Sequence, residues 1–258
     1  MAIMVIFKGI ILTLVVIVPV YWLASRVKVK IRFFLLGALA WLLAVFGKVL
    51  AVLPAQKFSI FLENHGIMPE ASLSLYSGLL TGVFECGIVL LFALYLKSLK
   101  NCDWNDQIGF GVGFAGLESL IPGVALLIFG FVLLGYPEVV NHLSPETRNL
   151  AIPAANINGV LMVVASFVER LGALALHTFS ALLIFLAVRT KVWKWFWVAF
   201  IYKFSVDATS SNLKFIFGDR VYTSVSILWI VESILLVFDI LGFAGILYLR
   251  KKWKKQGV

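Results

Sequence analysis

Blocks of about 20 mostly apolar residues recur along this chain, separated by short stretches that hold most of its charges. A helix of about 20 apolar residues is what crosses the hydrocarbon core of a bilayer. Of the 258 residues, 62% are hydrophobic and 14% charged. A soluble domain is usually apolar at nearly half its positions and charged at about a quarter. So many apolar blocks have no soluble core to hide in, and the expected fold is an all-α, polytopic membrane bundle forming a single domain, residues 1–258, in a cell membrane.

The expected spans are about seven. They cover residues 4–24, 33–53, 72–96, 107–135, 167–188, 195–210 and 221–248. Pro54 should end the second span. Pro122-Gly123 should break the fourth near its middle. Residues 55–71 and 136–150 read as polar loops, and residues 151–166 as an apolar helix that spans, re-enters or lies at the interface. The first block has no basic stretch before it and no clear small-x-small site after it, so it is expected to remain as a span.

Basic residues set the orientation of such a bundle. The stretches after spans one, three, five and seven hold 14 Lys or Arg, and the opposite loops hold four, namely Lys57, Arg148, Lys214 and Arg220. This predicts an outside N-terminus and a cytoplasmic C-terminus. Trp193, Trp195, Trp197 and Trp253 sit near the cytoplasmic boundaries, where indole anchors belong. The net charge of +9 therefore reads as a topology signal and a contact to anionic headgroups, and no nucleic-acid partner is expected. Cys86 lies in a span and Cys102 in a loop, so they are not expected to pair, nor do they form a metal motif.

Charged residues inside the spans carry the functional information, because each costs about 3 kcal/mol at mid-bilayer. They are Lys8, Lys48, Glu85, Glu118, Glu169, Arg170, Lys203, Asp207, Glu232 and Asp239. Lys8 and Lys48 can snorkel to an interface. Lys203 and Asp207 are four residues apart and can pair within one helix. Gly109, Gly113 and Gly116 make a smooth face near Glu118 that admits a neighbouring helix. Arg170 and His177 are seven residues apart and share a helix face, which Ser180 continues, whereas Glu169 points about 100° away from Arg170. The candidate site is Glu85, Glu118, Glu169, Arg170, His177 and Asp207. A carboxylate beside a histidine activates water for hydrolysis; the same groups suit proton relay or metal binding. No HExxH, GxSxG, P-loop or dinucleotide motif is present. No cofactor is expected, with a divalent metal left as an open alternative.

Over roughly residues 76–210 the chain resembles the YhfC-type membrane peptidases, a family related to the CAAX-protease and bacteriocin-processing glutamate-dependent intramembrane proteases. The resemblance rests on the Gly-rich run ending in Glu118, on Glu169-Arg170 with His177, and on Asp207. It departs from the superfamily pattern at two motifs. Glu85 is the single acid of Phe84-Glu85-Cys86, where the pattern has a Glu pair, and Val89 stands at the Arg position. Lys203 stands in the His place four residues before Asp207. The resemblance implies an intramembrane peptidase, active or catalytically reduced, whose substrate is a membrane-embedded peptide or protein. In an active version, Glu85 or Glu118 activates water, His177 polarises or protonates, and Asp207 orients a partner. A transporter or channel, and a non-catalytic binding or immunity protein, are the alternatives.

Overall fold

A computed structural model of the chain describes residues 2–65, 69–142 and 159–255. Among them the regular structure is entirely helical. The elements are α1 (Ala2–Ser25), α2 (Ile31–Asn64), α3 (Pro69–Thr81), a π-helical segment (Gly82–Cys86), α4 (Gly87–Tyr95), α5 (Lys97–Lys100), α6 (Trp104–Gly135), a 3₁₀ turn (Pro137–His142), α7 (Gly159–Thr190), α8 (Lys194–Phe217), α9 (Arg220–Thr223) and α10 (Val225–Lys255). Six helices among the described residues are long and apolar enough to cross a membrane. The expected sixth span, α8, is not one of these six; it carries Lys203 and Asp207 on a helix of 24 residues. Large apolar side chains such as Leu35, Phe46, Ile128 and Phe243 point outward, as a lipid-facing surface requires.

The helix α7 is the central post. Its most apolar stretch is 72% buried, against 39% or less for the other five candidate spans. It touches α6, α8 and α10, with α1 packed on α6 and α3 on α8. The small residues of α6 do what their spacing suggests: a Cβ on Gly113 would collide with the backbone of Phe34 in α2. At one end of the bundle the Trp253 ring lies against Trp104 and under the Arg189 guanidinium, while Lys252 covers Trp195 at 4.4 Å. The end of α10 is thereby tied to the starts of α6 and α8 and to the end of α7.

Three sequence expectations need correction. The membrane-length stretch of α2, Ile31–Val52, matches the expected second span, but the helix does not stop at Pro54 and continues to Asn64, so residues 55–64 are helix where a loop was expected. The helix α6 runs unbroken through Pro122-Gly123. Close packing of α1 against this stretch, with Thr13 beside Gly123, supports the turn that lacks one amide donor. Residues 159–166 are the first two turns of α7 rather than a separate segment; residues 143–158 lie outside the described residues. The third span contains the π segment that apolar periodicity did not indicate.

Two outcomes test this packing. Gly113→Ala should lower the stability of the detergent-solubilised protein by about 1–3 kcal/mol through overpacking, read from its thermal midpoint. Gly87→Ala, which meets nothing within 4 Å, should leave that midpoint unchanged or raised. Both cysteines are free and buried, and burial pushes the Cys102 thiol up to about 11. A polar thiol reagent at pH 8 should therefore leave Cys102 unmodified until the protein is denatured.

Candidate functional site

The π segment determines where Glu85 points. A π turn carries one more residue than an α turn and re-aims the side chains within it, and such turns recur at functional sites. Here it turns Glu85 inward, where it is 5% exposed. The same region lies close to α8, because Gly78 and Gly82 leave room for the Phe204 backbone and the Phe200 ring. This close approach brings Thr81 to Asp207 and Glu85 to Lys203.

The charges form a chain of alternating sign through the bundle. Asp207 accepts a hydrogen bond from Thr81 and lies 3.7 Å from Lys48. Lys48 pairs with Glu85 Oε1, and Lys203 Nζ lies 2.6 Å from Glu85 Oε2. Lys203 Nζ is also 2.9 Å from His177 Nδ1. On its other side His177 Nε2 is 2.8 Å from Glu118 Oε2. Glu118 accepts from the Trp41 indole at 3.2 Å and lies 3.5 Å from Arg170, which pairs with Glu169. An ammonium only donates hydrogen bonds. Nδ1 of His177 must then accept from Lys203, and Nε2 carries the proton it shares with Glu118. The Phe114 ring, 5.1 Å from the imidazole, fixes its plane.

All six expected site residues belong to this chain, carried by the π segment, α6, α7 and α8. The partners differ from those expected. Lys48 does not snorkel; it stands mid-helix because α2 runs on to Asn64, and it pairs with Glu85. Lys203 and Asp207 do not pair with each other, since each has a partner on another element. Arg170 reaches back to Glu169 in spite of the angle between them. Sequence reasoning left Lys48, Lys203, Trp41 and Thr81 out of the site. Their signal was position: a lysine five residues from an expected span end reads as an anchor, while the same lysine mid-helix must find a carboxylate.

A cavity of about 310 Å³ opens on one side of the chain. Its wall includes Glu118, Glu169, Arg170, His177, Lys203 and Asp207, and across from α8 it reaches Glu232 and Asp239 of α10. Asp239 lies against Gly172 of α7. Glu85 does not line this cavity. The two acids therefore occupy different settings. Glu85 is sealed between two lysines, and Glu118 borders open space with its side chain 31% exposed. No three His, Cys, Asp or Glu side chains among the described residues are grouped so as to hold a metal ion.

A family model described as YhfC intramembrane metalloprotease matches residues 10–235. The chain is also 22% identical over 189 residues to a Bacillus subtilis (strain 168) protein described as the uncharacterized membrane protein YhfC, covering 67% of this chain and 69% of that relative. No solved structure matches. The matched residues take in the whole charge chain, and with six membrane-length helices they make this a multi-pass integral membrane protein.

The pairing of Lys48 with Glu85 is measurable. In a double-mutant cycle, Lys48→Met and Glu85→Gln should each destabilise the solubilised protein. The double variant should be more stable than the sum of the two losses allows, by a coupling of about 0.5–3 kcal/mol. Strict additivity would mean the two side chains do not interact.

Proposed function

The chain belongs to the YhfC intramembrane metalloprotease family, and from that premise we propose that it hydrolyses a peptide bond within the membrane, with Glu118 as the water-activating group. The observation that carries this reading is the Glu118 carboxylate on the wall of a polar cavity inside an otherwise apolar bundle, with His177 Nε2 2.8 Å away. A carboxylate has about four lone-pair directions. Trp41, His177 and Arg170 face three of them, which leaves room for one water. Glu85, with both oxygens facing lysines, suits a positioning role.

The chemistry follows from these neighbours. Water on Glu118 attacks the peptide carbonyl carbon, and one of its protons passes to the carboxylate. Negative charge then grows on the carbonyl oxygen. The Arg170 guanidinium on the same wall is the group that meets it, an electrostatic role in a site of low dielectric. As the carbon–nitrogen bond breaks, Glu118 returns the proton to the leaving nitrogen, giving an amine and a carboxylic acid that keeps the water's second proton. His177 holds Glu118 in place through its Nε2 proton, and Lys203 fixes that tautomer from the other side. Asp207, through Lys48, orients Glu85.

The family's name carries a metal, and this donor set does not fit one. Both Glu85 oxygens face ammonium groups, and both His177 nitrogens are engaged. The hydrolysis above uses only the chain's own side chains. A break at Pro122-Gly123 would suit a transporter, whose sites are often lined by discontinuous helices, but α6 is continuous there. The basic bias of alternate loops supports a cytoplasmic C-terminus for this reading.

Glu118→Gln, expressed at equal and folded levels, should cut the appearance of new N-termini in the membrane proteome by about 10²–10⁴-fold, the usual contribution of a general acid–base. Identical N-termini in wild type and variant would rule against peptidase activity under that growth condition. Glu85→Asp, which keeps the charge, should retain more activity than Glu118→Asp, which withdraws the base from the water.

A further inference from the structure

The site already contains a cation at the point where a metal ion would gain most. Lys203 Nζ lies 2.6 Å from Glu85 Oε2 and 2.9 Å from His177 Nδ1, and its side chain is 3% exposed. A carboxylate oxygen from one helix and an imidazole nitrogen from another are the donors that a zinc-like ion would use, at about 2.0–2.2 Å. The Lys203 ammonium forms an ion pair with that oxygen and a hydrogen bond with that nitrogen from a little further away. Two cations cannot occupy the one point between those donors. Lys48 closes the other Glu85 oxygen, and Glu118 closes the other imidazole nitrogen.

We propose that Lys203 is a tethered cation occupying the place of a divalent metal, so that this chain's site is metal-independent and becomes a metal site when Lys203 is replaced. The geometry makes the second half specific. A histidine at this position reaches roughly 2 Å less far from the backbone than a lysine does, and that shortfall is about the length of one zinc–nitrogen bond. Lys203→His would thus present three donors, the new imidazole with Glu85 and His177, around the point where Nζ now sits. Lys203→Ala vacates the same point and leaves the Glu85 oxygen without its partner, a buried charge that an added cation would compensate.

The experiment uses the full-length protein in detergent. Wild type, Lys203→His and Lys203→Ala are stripped with chelator, exposed to cobalt(II) or zinc(II), freed of excess and assayed for metal per chain. Wild type should retain no stoichiometric metal, and zinc should not move its thermal midpoint. Lys203→His should retain one ion per chain with the visible absorption of tetrahedral cobalt, and should lose it on adding His177→Gln. Zinc should raise the thermal midpoints of both variants, as a ligand of the folded state does. A wild-type protein that holds one ion per chain, released by His177→Gln or Glu85→Gln, would overturn the proposal. So would folded variants of which neither gains an ion. If neither variant folds with or without zinc, the metal content of wild type decides alone. These readouts are metal content and stability, so they stand or fall separately from the peptidase reading.

Discussion

Lys203 and Glu85 face each other at 2.6 Å in the interior of the bundle, and the rest of the site is built outward from that contact. An isolated ammonium or carboxylate is costly at that depth, and loss of either partner strands the other. The pair therefore constrains its surroundings. It needs the π segment to aim Glu85, and it needs α3 and α8 close together, which Gly78 and Gly82 allow. Lys203 then turns His177 so that its Nε2 proton meets Glu118, and Glu118 in turn gathers Trp41 and Arg170. Each charge is held by the one before it, from Asp207 at one end to Glu169 at the other.

This arrangement separates the two acids that sequence reasoning could not rank. Glu85 and Glu118 both sit in apolar segments with glycines nearby, and nothing in their spacing distinguishes them. Burial and partners do. Glu85 is enclosed by lysines, whereas Glu118 borders the cavity that α10 completes with Glu232 and Asp239. The lysine four residues before Asp207 also acquires a physical meaning: it is held in the site by His177 and Glu85.

Much of the fold was legible because bilayer thickness leaves few options for apolar blocks of this length. The basic-rich stretches, the glycine face of α6 and the four acids, one arginine and one histidine of the site could all be picked out along the sequence. Discontinuities could not. Pro54 and Pro122 are local helix breakers, yet α2 and α6 continue through them, the second with α1 packed against Gly123. Lys48 stands five residues before the end of the expected span, where a lysine reads as an interfacial anchor, yet it pairs with Glu85 inside the bundle. The π segment has no periodic signature, being one added residue in a turn. Pairings between helices, such as Lys203 with Glu85 instead of with Asp207, depend on helix rotation, which a single sequence does not specify.

The central claim is that Glu118, held by His177 at the edge of the polar cavity, activates water for peptide hydrolysis. The most direct measurement reconstitutes the purified protein in lipid vesicles with a library of membrane-embedded peptides, in water labelled with heavy oxygen, and analyses the new C-termini by mass spectrometry. The account predicts heavy oxygen in the carboxylates of newly cut ends for wild type, and no such ends for Glu118→Gln. Equal labelling in both proteins, or no labelled end in either, would contradict it.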